Sequence, residues 1–147
     1  RKLHNRTKVV GTFALGTNRL YDFLHENTAV ELWSVRYVND PRLIARERNF
    51  VSVNATLAVD FLGQCASETI DGRYYSSSGG QVDFARGAMY SEGGQGFIVL
   101  RATAKHGAIS RIVPQLHAGD VVTNTKNTVD KVVTEYGVAE LRSKTIR

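Results

Sequence analysis

A mixed α/β sandwich is the fold class that this sequence predicts, on three observations. Short stretches of strand character alternate with short stretches of helical periodicity along the whole chain. Residues 51–61 alternate apolar and polar, the period of a strand with one buried face. Phe97-Ile98-Val99-Leu100 is an unbroken apolar run, as a strand buried on both faces requires. The 147 residues suffice for one domain with a real core and are too few for two ordinary ones.

Residues 9–15 read as a strand. Gly16-Thr17 then turn the chain into a helix, with Thr17 as N-cap and Leu20, Phe23 and Leu24 on one face. Residues 30–38, rich in Val, Trp and Tyr, suit a second strand. Asn39-Asp40-Pro41 stops it: Asp40 can cap a helix and Pro41 fits its first position, giving a short helix through residue 46. Residues 51–61 form a long half-buried strand or a hairpin arm. Residues 72–80 are rich in turn formers, and a helix is expected over 82–89. Gly93-Gly94-Gln95-Gly96 reads as a turn before the Phe97 strand. Residues 109–113, 121–122 and 131–134 are further strands.

Composition and charge narrow the functional classes. Apolar residues make up 42% and charged residues 22%, the balance of a soluble globular chain. No apolar run approaches the roughly 20 residues that span a bilayer, and the basic N-terminus has no apolar signal region. The one cysteine, Cys65, can form neither an internal disulfide nor a multi-cysteine metal site, and reads as a small buried hydrophobe. A reducing cytoplasm is the expected location. The net charge of +5 raises nucleic-acid binding, but seven of the 19 basic residues lie within the first eight and last six positions. The remaining 12 face all 14 acidic residues, and no basic stripe interleaved with aromatics runs through them. No nucleic-acid partner is expected.

None of the four histidines (His4, His25, His106 and His117) stands at a ligand spacing from another His, Cys or acid, so no metal is expected. There is no Gly-x-Ser-x-Gly elbow and no phosphate loop of the Gly-x-x-x-x-Gly-Lys type. The informative segment is Tyr75-Ser76-Ser77-Ser78-Gly79-Gly80-Gln81-Val82-Asp83-Phe84. Small residues let a backbone approach a ligand, and a helix starting near Gln81 would present free amide donors to an oxyanion or phosphate. On composition alone a surface loop explains it equally well.

That segment resembles the glycine loop of the acetyl-CoA hydrolase/4-hydroxybutyrate CoA-transferase family. Four further stretches resemble the same family, in its order and near its spacing. They are Asn39-Asp40-Pro41, Ser52-Val53-Asn54-Ala55, Thr103-Ala104-Lys105 with Ser110-Arg111-Ile112-Val113-Pro114, and Val133-Thr134-Glu135-Tyr136-Gly137-Val138-Ala139-Glu140-Leu141-Arg142. Ser77 and Ser78 depart from the family's usual glycine and aliphatic residue. The resemblance implies an open α/β sandwich with a mixed sheet, of the NagB/RpiA/CoA-transferase type, with residues 1–147 as a C-terminal domain.

The resemblance also implies a chemistry. A catalytic glutamate attacks an acyl-CoA thioester, and glutamyl anhydride and enzyme–CoA thioester intermediates carry CoA to a short-chain carboxylic acid. Gly80 would supply an oxyanion-hole amide, with Gly79 keeping the loop close to the thioester. Asn39 would contact the reacting carboxylate, or else only end a strand in an Asx turn. Glu135 would help position substrate and nucleophile, or else be a solvated strand-end carboxylate. Lys105 would meet a CoA phosphate, or else be an ordinary surface lysine. Gln81 and Asp83 would brace the loop, Gln81 as part of the CoA site. The nucleophile is expected before Arg1, in an N-terminal half that would be this chain's partner, and a homodimer or higher oligomer is expected. An acyl-CoA hydrolase uses the same donors, and a non-catalytic CoA-binding fragment is the remaining reading.

Overall fold

The computed structural model describes residues 2–145, and a four-stranded sheet lies at its centre. The chain opens with β1 (Val9–Gly11), α1 (Asn18–Leu24) and β2 (Val30–Leu32), the two strands pairing in parallel. The strand expected over residues 9–15 thus ends at Gly11. Thr17 is the N-cap of α1 as expected, though its side chain makes no capping bond.

The strand expected over residues 30–38 ends at Leu32, and the chain turns instead into α2 (Val35–Val38). Ser34 is the reason: its Oγ accepts from the Arg36 N–H at 3.3 Å and offers the backbone a helical start. Trp33 and Tyr37 then meet across the turn, ring centroids 5.4 Å apart. α3 (Pro41–Ile44) follows with the expected cap, Asp40 Oδ1 accepting from the Arg42 N–H at 2.9 Å.

Residues 51–61 are two strands in two sheets, β3 (Val51–Ala55) and β4 (Ala58–Asp60). The break falls at Thr56, which is buried, with its hydroxyl 2.9 Å from Ala66 O. β5 (Cys65–Ala66) returns antiparallel to β4, and β6 (Thr69–Ile70) and β7 (Arg73–Tyr74) make a small hairpin. The loop of residues 75–80 leads into α4 (Gln81–Tyr90), close to the helix expected there. The glycine turn delivers β8 (Gln95–Val99). β9 (Thr103–Ala104) and β10 (Ile109–Ser110) form a hairpin. β11 (Ile112–Val113) pairs in parallel with β4, so residues 109–113 serve two different sheets rather than one strand. Residues 121–122 form no strand; the Val121 N–H is taken by Thr69 Oγ1 at 3.0 Å. β12 (Lys131–Thr134) and β13 (Gly137–Glu140) complete the chain.

The central sheet has the order β13-β12-β8-β3, with β3, β8 and β12 parallel and β13 antiparallel. This is the mixed sheet that the sequence predicts. The register puts Ser52, Asn54, Gly96, Ile98 and Val132 on one face, where α4 packs against β3 and β8. A core of Val59, Cys65, Ile98, Val129 and Val132 forms there. Val51, Val53, Phe97, Val99, Val133 and Val138 line the other face. On that face Val53 is 62% exposed, whereas Ser52 on the covered face is 4% exposed. The alternation in residues 51–61 is therefore real, but within this chain its polar side is the buried one at β3. Likewise only Ile98 of the Phe97–Leu100 run is fully buried.

α3 and α4 pack closely because α4 carries Gly87 at the crossing. A Cβ there would lie 2.3 Å from Ile44 Cγ2. That contact fixes the segment just before α3, which carries Asn39, relative to the start of α4.

Candidate functional site

The glycine loop hangs from a firm base. Glu68 O accepts from both Tyr75 N–H (2.7 Å) and Ser76 N–H (3.1 Å). The neighbouring Ser67 Oγ lies 3.0 Å from Thr56 Oγ1, and the Thr56 N–H bonds Val99 O at 3.2 Å. The base of the loop thus sits at the carboxyl ends of β3 and β8, the edge where ligands settle in open α/β sheets.

At its far end the loop meets Asn39. Gly79 has φ +52 with open space around it, and Gly80 is the N-cap of α4. A Cβ on residue 80 would lie 2.2 Å from Asn39 Nδ2 and 3.1 Å from Asn39 Cγ. The Asn39 amide therefore rests on the bare Cα of Gly80. Asn39 closes the helical turn α2 through its backbone N–H to Val35 O at 2.9 Å. Its side-chain amide has no hydrogen-bond partner among the described residues. It does not end a strand, so the Asx-turn reading gives way to a helical one. Gln81 is buried, and its Nε2 lacks a hydrogen-bond partner.

Glu135 stands in the turn between β12 and β13, exposed, with Oε2 accepting from the Ala102 N–H at 2.9 Å. Its carboxyl is held below the ordinary glutamate value. The Ala102 N–H does most of this, then the residue's own N–H, with a smaller pull from Arg101. Lys105 begins the tight turn of the β9–β10 hairpin and lines a cavity of about 310 Å³ with Arg101, Thr103, His106 and Arg111. Among the described residues no hydrogen bond joins this cluster to Asn39 and Gly80.

The structure thus brings Asn39 and Gly80 into contact, with Gln81 beneath them, and gathers Glu135 and Lys105 near the carboxyl ends of β8 and β12. Sequence reasoning missed Arg101 and the Ala102 amide, and gave Arg111 no role of its own. Only the hairpin register, with Ser110 opposite Thr103, brings residues 101 and 111 together. Among the described residues no cluster of three His, Cys, Asp or Glu could hold a metal. No helix there is long and apolar enough to cross a membrane.

An amide donor held uncommitted against a backbone glycine suits a developing oxyanion. Fold and site together are those of a CoA-transferase-type α/β domain. The chain belongs to the acetyl-CoA hydrolase/transferase family, whose C-terminal domain matches residues 16–147. It is 56% identical over its whole length to a succinyl-CoA:cyclohexane-1-carboxylate CoA transferase of Geobacter metallireducens, covering 34% of that protein. It is 51% identical over 95% of its length to a 4-hydroxybutyrate coenzyme A transferase of Clostridium kluyveri, covering 33% of it. Among solved structures, RipA from Yersinia pestis superposes with a TM-score of 0.91 at 42% identity, over 99% of this chain and 32% of that one. A 4-hydroxybutyrate CoA-transferase from Porphyromonas gingivalis gives 0.80 at 41% identity, over 99% and 33%. The chain spans about a third of the length of the relatives it matches.

Proposed function

We propose that this chain is the C-terminal domain of an enzyme that moves CoA between an acyl-CoA and a short-chain carboxylic acid. The observation that carries the reading is the Asn39 side-chain amide, free of partners and seated on Gly80 at the head of α4. Acyl transfer at a thioester passes through a tetrahedral oxyanion. The Asn39 Nδ2 donor and the Gly80 amide stabilise it without reorganising at the moment of reaction. Gly79 and Gly80 let the thioester approach the backbone, and Gln81 braces the loop from below. Glu135, ionised and anchored on the Ala102 N–H, positions the incoming carboxylate and the nucleophile. Lys105 contributes to CoA binding as a point charge.

The nucleophilic glutamate lies in an N-terminal portion of the enzyme, outside this chain. It attacks the thioester carbonyl, expels CoA thiolate and becomes a mixed anhydride. The thiolate then attacks the glutamyl carbonyl, releases the first carboxylate and leaves an enzyme–CoA thioester. A second carboxylate reverses the sequence. The open apolar face of the central sheet supports an assembly with further protein, either that N-terminal portion or a second copy.

The test is isotope exchange. The chain is incubated with acetyl-CoA and labelled acetate, and label entering acetyl-CoA is followed. No exchange by the chain alone, restored by adding the N-terminal portion, is the expected result. Exchange by the chain alone would move the nucleophile into these residues, with Glu135 first in line. Acetyl-CoA loss without exchange in the assembled enzyme would make it a hydrolase.

A further inference from the structure

The β9–β10 hairpin carries more positive charge than one lysine contact explains. Arg101, Lys105 and Arg111 line one cavity of about 310 Å³, with His106 and the Thr103 side chain beside them. That volume stands at the bottom of the roughly 300–1,000 Å³ typical of small-molecule sites. It suits one end of a long ligand rather than the whole of it.

The cleft is built on a fixed frame. The Arg111 N–H bonds Ala102 O at 2.8 Å, and Arg111 O accepts from the Val59 N–H at 2.9 Å. Its backbone is thereby pinned between the hairpin and β4. The turn at the tip is strained: Lys105, His106 and Gly107 have φ of +49, +54 and +93 in succession. Two of the three are not glycine, and left-handed non-glycine residues persist where the surroundings hold them, commonly at ligand clamps. Lys105, His106 and Arg111 make no side-chain hydrogen bond or ion pair among the described residues. The acid beside Arg101 is Glu135, whose carboxylate is already committed to the Ala102 N–H. Unpaired cations on a pinned frame are an anion site awaiting its anion.

Two anions belong to the proposed reaction: the phosphorylated end of CoA and a carboxylate of the acid. The turn residues Lys105, His106 and Gly107 are exposed, as is Arg101. A solvent-facing rim suits the charged, hydrated end of CoA, while the acyl end belongs at the Asn39–Gly80 pair. The cleft and the base of the glycine loop share the carboxyl edge of β3 and β8, so one extended ligand can meet both.

We infer that Arg101, Lys105 and Arg111 form a cradle for the phosphoryl groups of CoA, with Arg111 as a phosphate ligand. This rests on the CoA-transferase reading for the identity of the ligand, and not for the existence of the anion site. Arg guanidinium groups bind phosphate by paired N–H donors, which a lone lysine cannot do.

Two measurements test it. The first titrates the 147-residue chain with inorganic pyrophosphate by calorimetry at fixed low ionic strength. Saturable binding that Arg111→Gln weakens about tenfold, the size of one charge-assisted hydrogen bond, and that Arg111→Lys partly restores, is expected. No binding by the unaltered chain overturns the cradle whatever the enzyme's reaction. The second compares acetyl-CoA with acetyl-pantetheine in the exchange-competent enzyme. Arg111→Gln should raise KM for acetyl-CoA about tenfold, leave kcat unchanged, and leave KM for acetyl-pantetheine unchanged. An equal rise for both thioesters, or a rise only in the KM of a dicarboxylic acceptor, overturns the assignment to CoA phosphates. Enzyme without exchange activity, but with pyrophosphate binding lost in Arg111→Gln, would refute the transferase reading and leave the anion site standing.

Discussion

Gly80 does its work by lacking a side chain. A methyl group there would lie 2.2 Å from Asn39 Nδ2, so Gly80→Ala must push the amide off the head of α4. Turnover of the assembled enzyme is expected to fall by about 10²–10³-fold, the loss typical of one oxyanion donor. Asn39→Ala should match it, and the double variant should lose little more, because both changes remove the same donor. A double variant whose losses multiply would show that the two residues act separately. Asp40, next in the chain, is held down to about 2 from an ordinary 3.8, first by the Arg42 side chain and then by the Arg42 N–H. Because the folded value is the lower one, the stability Asp40 contributes is complete above pH 3.8. It disappears as pH falls through about 2. Carboxyl NMR should find a midpoint near 2 that rises in Arg42→Ala; an ordinary midpoint in the unaltered chain would contradict the cap geometry. Cys65, with burial pushing its thiol up to about 12, should resist thiol reagents until the chain unfolds.

At the scale of elements, the α3–α4 crossing ties the site together. Gly87 lets Ile44 sit against α4, and this holds the Asn39 segment at the Gly80 end of the helix. Gly87→Leu should destabilise the chain by about 1–3 kcal/mol through overpacking. It should also depress turnover although residue 87 touches no substrate. A thermal melt and a kcat measurement on the same sample check both; a melt unchanged within error would mean that the helices separate freely. Some elements were legible in the sequence because their signals are local. Asp40-Pro41 announced α3, and the Gly80-Gln81 boundary announced α4 to within a residue. Residues 33–38 misled because their β-branched and aromatic composition is a strand signal, while the deciding event is one hydroxyl, Ser34, taking the Arg36 N–H. Residues 51–61 misled for the opposite reason. Their period was correct, but which side of it faces the helices depends on α4, about 30 residues away.

The whole molecule is asymmetric about its central sheet. One face is covered by α4 and the core, and the other presents Val51, Val53 and Val138, each more than half exposed. A contiguous apolar face of this kind marks contact with further protein. The chain alone is therefore expected to self-associate at micromolar concentration in sedimentation velocity. Replacing Val51, Val53 and Val138 by Lys should yield a monomer, with each exposed change costing within about 0.5 kcal/mol of stability. A monodisperse monomer from the unaltered chain would count against the interface.

Residue order alone determined the fold class, the glycine loop and the residues that meet at it. Those signals are carried by neighbours in the chain: a capping acid before a proline, glycines before a helix, a strand period of two. The pairing of Asn39 with Gly80 was a resemblance until the crossing of α3 and α4 made it a contact. The cationic cleft was decided by tertiary structure alone. Arg101 and Arg111 are ten residues apart in an unremarkable stretch, and only the register of β9 on β10 closes that distance. Sequence spacing fixes what a residue can do, whereas the hydrogen-bonded register and the helix crossing fix which residues do it together.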